Sequence, residues 1–183
     1  MIKLLIFIAI IIVSFAAMEG IAWLAHKYLM HGVLWKMHRD HHKKDHDGFF
    51  ESNDLFFIVF AAPGIACLAL GGYGHIAYLI FVGIGITLYG CSYFLVHEIF
   101  IHQRIKIFRN STNRYLRGLR RAHKIHHKHL DKADGECFGM LWVPWECFSE
   151  LKRVDEMASH FSGIKPSPKT DLDVKSNIRN VVQ

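Results

Sequence analysis

Three long apolar runs alternate with polar, histidine-rich segments along the 183-residue chain. The first, LLIFIAIIIVSFAAMEGIAWLA, extends from Leu4 to Ala25. The second, LFFIVFAAPGIACLALGG, extends from Leu55 to Gly72, and the third, IAYLIFVGIGITLYGCSYFLV, from Ile76 to Val96. A helix needs about 20 mostly apolar residues to cross a bilayer. The first and third runs meet that length. The second is shorter and carries Pro63-Gly64 near its centre, which predicts a kinked or tilted span. The expected fold class is all-α: an integral membrane protein of three to four helical spans with a cytoplasmic, histidine-rich, metal-binding helical cap. The fourth span depends on whether the apolar parts of FGMLWVPWECF dip into the bilayer. Beyond Leu151 the sequence is polar, with prolines, mixed charge and no periodicity. Residues 1–150 are thus expected to form the membrane domain, and 151–183 a loosely ordered cytoplasmic tail.

A cleaved signal peptide competes for the first run, given Lys3 near its start and the small pair Ala16-Ala17. The run continues past that pair to Ala25 and leads into a histidine motif, which favours a retained helix. Glu19 lies inside the run, where a carboxylate is expensive in lipid, so it is expected to face protein or the metal site.

Charge orients these spans. The formal net charge is +6 with histidines neutral. Between the second and third runs only GGYG and His75 intervene, without Lys or Arg. Lys27, Lys36, Arg39, Lys43 and Lys44 follow the first run, and Arg104 to Lys132 supply a longer basic series after the third. The positive-inside rule places the N-terminus outside and both basic segments on the cytoplasmic side of the cell's inner membrane. Topology and anionic headgroups account for the basic excess, so nucleic acid is not an expected partner. Cys67, Cys91, Cys137 and Cys147 show no C-x-x-C spacing and are expected to be reduced packing residues.

Histidine is the compositional outlier, at 14 residues. Ten of the 14 fall into a pattern that occurs twice. After the first run come HKYLMH (His26, His31) and HRDHH (His38, His41, His42). After the third come HEIFIH (His97, His102) and HKIHH (His123, His126, His127). Each pass gives H-x4-H and then H-x2-H-H. At about 100° per residue, positions i, i+3 and i+4 share a helix face, so each H-x2-H-H box presents three imidazoles together. The H-x4-H partners stand about 140° apart on an ideal α-helix. A straight helix cannot aim both at one ion, unless they flank a cluster from a helix end or reach different metals. His31 and His38 are seven apart, so a continuous or gently broken helix can present His31, His38 and His42 together. Imidazole suits iron, zinc, copper and nickel, and ten imidazoles suffice for two ions. His46, His75, His129 and His160 lie outside the pattern. His46, His129, Asp40 and Glu98 are candidates to orient a ligand's other ring nitrogen.

A zinc protease would need H-E-x-x-H, but after His97-Glu98 the next histidine is His102. A metal carrier would need ligands lining a path through the spans, whereas these histidines gather at one interface.

HKYLMH, HRDHH, HEIFIHQR and RRAHKIHHKH together resemble the four histidine boxes of the fatty acid hydroxylase superfamily of membrane di-iron enzymes. The segments HHKKDHDGFFE-x-ND, FLVHEIFIHQR and ECFGMLWVP are similar in particular to its bacterial carotenoid (β-carotene) hydroxylase branch, over roughly residues 15 to 150. Glu98 stands where many relatives carry Asp. The resemblance implies a carotenoid 3-hydroxylase that adds one hydroxyl to each β-ionone ring of a substrate drawn from the bilayer. It implies two non-haem iron ions, O2 and a ferredoxin-like electron donor. It also implies the ligand set His26, His31, His38, His41, His42, His97, His102, His123, His126 and His127. A sterol or fatty-acid hydroxylase, or a carotenoid ketolase, would use the same boxes. Phe49, Phe50, Trp142 and Trp145 are candidates for a lipid-facing mouth or for interfacial anchors. The segment Arg114 to Arg121 is a candidate landing site for an acidic donor or for headgroups.

Overall fold

The computed structural model describes residues 1–43, 48–107 and 111–149. The expected tail, with His46 and His160, lies outside them. Among the described residues the main α-helices are α1 (Ile2–Leu24), α2 (Trp35–His42), α3 (Leu55–Tyr73), α4 (Ala77–Phe94) and α5 (Arg114–His127). No strand occurs among the described residues. Both α1 and α4 pass without interruption into wider π-helical segments, Ala25–Val33 and Leu95–Ile101.

Among the described residues three helical stretches are long and apolar enough to cross a membrane: Ile2–Val33, Ser52–Tyr73 and Ala77–Ile101. Their hydrocarbon faces point outward at Ile12, Val13, Ile58, Ile65 and Leu88, all exposed. Such a broad apolar belt is the surface that lipid would cover. α3 runs through Pro63 as one helix. Among the described residues no fourth stretch is long and apolar enough to span. Residues 138–144 contain no helix, and the backbone N–H groups of Met140, Leu141 and Trp142 each donate to Glu19 Oε1 at 2.9 Å. Tyr89 Oη–H donates to the other oxygen of Glu19 at 2.8 Å. Glu19 therefore faces protein. Four donors satisfy its carboxylate at a depth where an unpaired one would be very costly.

Small residues let the spans approach closely. A Cβ on Gly85 would stand 2.6 Å from Ile11 O and 2.7 Å from Ser14 Cβ, so glycine sets the α1–α4 contact. Gly83 plays the same part against Leu68 of α3. Between α3 and α4 the chain reverses in a few residues. Gly74 N–H donates to Leu70 O and Ile76 N–H to Gly71 O, both at 2.9 Å. His75 sits there at φ 52°, a turn conformation.

α5 begins at Asn113, whose side chain accepts the Leu116 N–H at 3.0 Å as an N-cap. Its apolar face, Leu119 and Ala122, packs on Val143 and Cys147. The four cysteines are free thiols. This packing places the last histidine box of α5 against the ends of the spans.

Candidate metal centre

The first H-x4-H box lies within the first π-helical segment, and the second starts in the other, with His102 as its C-cap. A π-helix bonds residue i to i+5 and is wider than an α-helix, so residues five apart lie closer to one face than they do on an α-helix. His102 N–H donates to His97 O at 2.9 Å, and Leu34 N–H to Leu29 O at 2.8 Å, both i to i+5 bonds. The wider turn brings His26 near His31 and His97 near His102, with ring centroids 5.3 and 4.5 Å apart. The straight-helix obstacle to this spacing is thus removed by a change of helix type. At Gly32 (φ −107°, ψ −111°) the helix breaks, and α2 sets off at the angle that returns His38 and His42 to His31.

Nine of the ten box histidines form two groups. His26, His31, His38, His42 and His126 make the first, and His41, His97, His102 and His123 the second. Within each group the ligand atoms lie within 4.8 Å of one another. Each H-x2-H-H box is therefore divided between groups rather than converging as a trio. His38 and His42 go to the first while His41 goes to the second, and His126 and His123 separate likewise. His127 belongs to neither. It stacks on His42 at 4.5 Å and lies 4.4 Å from His123, between the groups. Its Nε2 is buried with no hydrogen-bond partner.

Proton placement decides what these groups can do. His26 Nδ1–H donates to Phe138 O at 3.0 Å, His42 to His129 O at 2.9 Å and His126 to Glu136 O at 2.8 Å. His38 Nδ1–H donates to Asn53 Oδ1 at 2.6 Å. His41 donates to Glu51 Oε2 at 2.8 Å and His97 to Glu98 Oε1 at 2.5 Å. In these six histidines Nδ1 carries the proton, and a neutral ring then leaves Nε2 as a bare lone pair. Yet the Nε2 atoms of His26 and His38 are 3.2 Å apart, those of His38 and His42 3.1 Å, and those of His41 and His97 3.1 Å. Two lone pairs at that distance repel and cannot hydrogen-bond. A cation between them removes the conflict. Two nitrogens each ~2.1 Å from one ion stand about 3.0–3.4 Å apart at right-angled to tetrahedral geometry. The donor set therefore fits metal.

Protonation offers no alternative relief. Burial, reinforced by neighbouring imidazoles, lowers His38 to about 3, His42 to about 4 and His126 to about 2. The same causes hold His41, His123 and His127 below the usual histidine range. The rings are neutral at pH 7, the form that binds metal.

Around the second group lies an ionic network that the spacing of histidines did not reveal. Arg104 donates to both oxygens of Asp54, at 2.6 and 3.0 Å. Its Nε stands 2.6 Å from Glu98 Oε2, and an NH2 nitrogen 3.4 Å from Glu51 Oε2. Of the side chains expected to orient ligands, Glu98 does so, whereas Asp40 accepts the Ser52 N–H at 2.6 Å. His129 serves through its carbonyl. Glu51, Asn53 and the carbonyls of Glu136 and Phe138 were missed.

A cavity of about 880 Å3 opens beside this network. Its walls are apolar, with Phe56, Phe60, Ile86 and Tyr93 among them, and Glu51, Asn53 and Glu98 stand at its polar end. Phe49 and Phe50 line it, but Trp142 and Trp145 do not. Of the proposed mouth, only the phenylalanines are in place.

The sequence matches the fatty acid hydroxylase family over residues 11–149. It is 42% identical over 134 residues to a beta-carotene hydroxylase of Pseudescherichia vulneris, covering 73% of this chain and 75% of that protein. It is 34% identical over 136 residues to a beta-carotene hydroxylase of Paracoccus sp. (strain PC1), covering 74% of this chain and 83% of that protein. A chloroplastic beta-carotene 3-hydroxylase 1 of Arabidopsis thaliana is 40% identical over 132 residues, covering 70% of this chain and 40% of that one. No solved structure matches the chain. The histidine groups and these relatives fit a metal-dependent oxygenase, and the chain belongs to the fatty acid hydroxylase family.

Proposed function

We propose that this protein is a membrane di-iron monooxygenase that hydroxylates the β-ionone rings of carotenoids at C3, converting β-carotene to zeaxanthin through β-cryptoxanthin. The observation that carries the metal reading is the set of Nε2 lone pairs facing one another at 3.1–3.2 Å. The carotenoid reading rests on the beta-carotene hydroxylases that it resembles over about three quarters of its length.

The first group, His26, His31, His38, His42 and His126, would hold one iron. The second, His41, His97, His102 and His123, would hold the other. His127, with its orphaned Nε2 between the groups, completes the ten. Bound iron supplies the O2 activation that no side chain can provide for an unactivated C–H bond. In balance, one oxygen atom of O2 enters the substrate and the other leaves as water, consuming two electrons and two protons. A ferredoxin-like protein is the proposed electron source.

The chain itself positions and shelters. The cavity walls of Phe56, Phe60, Ile86 and Tyr93 receive the ring end and exclude water. Phe49 and Phe50 border its opening. Carbonyl, amide and carboxylate oxygens hold His26, His38, His41, His42, His97 and His126 in the tautomer that binds metal. The histidine cap is proposed to lie on the cytoplasmic side of the inner membrane, where the exposed Arg114 and Lys124 of α5 and Lys128 at its C-cap meet headgroups or the donor.

The test is pigment chromatography of bacteria engineered to accumulate β-carotene, with and without this chain. Cryptoxanthin and zeaxanthin are expected. Unchanged β-carotene, from iron-loaded protein shown to be in the membrane, would overturn the substrate assignment.

A further inference from the structure

The two histidine groups are held by different kinds of acceptor. In the first, His26, His42 and His126 donate to backbone carbonyls and His38 to a neutral amide oxygen. In the second, His41 and His97 donate to carboxylates, Glu51 and Glu98. A carboxylate draws the Nδ1 proton more strongly than a carbonyl and makes the opposite nitrogen a stronger donor. Both carboxylates meet at one cation. Arg104 contacts Glu51 at 3.4 Å and Glu98 at 2.6 Å, and is itself fixed by its paired bonds to Asp54. The guanidinium fork hydrogen-bonds Asp54 and stands as the shared ion-pair partner of Glu51 and Glu98.

We propose that Arg104 is a positioning residue that makes the two metal sites unequal, holding Glu51 and Glu98 so that His41 and His97 become carboxylate-backed ligands while the first group keeps neutral backing. This rests on the di-iron reading above. The second group is the more electron-donating and favours the more highly charged ion. The cavity is lined by Glu51 and Glu98 and also by Asn53, which backs His38, so it borders the backing residues of both groups.

Iron content and Mössbauer spectra of the iron-loaded, detergent-purified enzyme test this. The wild-type protein should hold two irons in two distinct environments. Arg104→Gln and Glu51→Gln should weaken the second site roughly 10- to 100-fold. At limiting iron, content then falls from two irons per chain towards one, and one signal moves or disappears while the other stays. Asn53→Asp, which gives His38 a carboxylate, should move the other signal. Arg104→Lys keeps the charge without the fork and should restore content only in part. If Arg104→Gln fails to fold, Glu51→Gln carries the test, because it leaves Arg104 paired with Asp54 and Glu98. Equal displacement of both signals, or no change in either, overturns the inequality while leaving the di-iron reading intact. A wild-type protein that binds fewer than two irons defeats both.

Discussion

A histidine whose Nδ1–H is held by a carbonyl has only Nε2 to offer a cation. In His126 that carbonyl belongs to Glu136, and the ring is fully buried. His126→Ala is expected to abolish hydroxylation and lower bound metal while the protein still inserts, as read by pigment analysis and metal content of membranes. His75→Asn, in the turn between α3 and α4, should leave both unchanged. The same burial gives the metal-free protein a definite acid response. An unfolded histidine titrates near 6.5, whereas folded His38 and His42 are pushed down to about 3 and about 4. Below pH 6.5 the unfolded chain binds protons that the folded one refuses, so stability falls as pH drops from 6.5 towards 4. Thermal unfolding of the metal-free protein across that range should show Tm decreasing with acid, and a flat profile would contradict the neutral-ring assignment. Glu19→Gln keeps the shape but replaces charge-assisted bonds to three backbone N–H groups with neutral ones. It should cost about 1–3 kcal/mol, visible as a lower Tm in detergent.

Among the elements, the π-helical segments have the sharpest consequence. They make H-x4-H a one-face motif by absorbing an extra residue. Deleting Tyr28, an exposed position within Ala25–Val33, leaves His26 and His31 four apart, which an α-helix places about 40° from each other on one face. Circular dichroism should then show helix content nearly constant and metal content should be retained, whereas loss of metal would show that the pair needs the wider turn. The spans themselves depend on close approach. Gly85→Leu forces a side chain into Ile11 and Ser14 of α1. Overpacking of this kind costs about 1–3 kcal/mol and should lower the yield of folded protein in detergent.

For the molecule as a whole, the membrane architecture was legible because lipid demands long apolar helices, and little else looks like them. The ligands were legible because histidine is scarce and its spacing repeats. The way the boxes are shared was not. Placing His41 opposite His97, and His38 beside His26, is a tertiary choice that helical periodicity within one segment does not contain. The π turns were invisible for a related reason: apolar residues fill an α or a π turn equally well. Backbone carbonyls leave no mark on a sequence at all, since any residue at 129, 136 or 138 supplies one. Glu51, Asn53 and Arg104 were ordinary polar residues until the fold gathered them. Orientation is a property of this scale too. With the native cysteines replaced, His75→Cys should react with a membrane-impermeant thiol reagent added from outside, and labelling only after lysis would reverse the proposed topology.

Three of the clasps on the first histidine group come from His129, Glu136 and Phe138, far along the chain from His26 and His42. On the ribosome this imposes an order of events. All three apolar helices are synthesised before the clasping strip. A chain truncated after residue 128 would keep those helices and most of the histidines yet lack the carbonyls that hold His26, His42 and His126. The first group is thus the last part of the centre that the growing chain can complete.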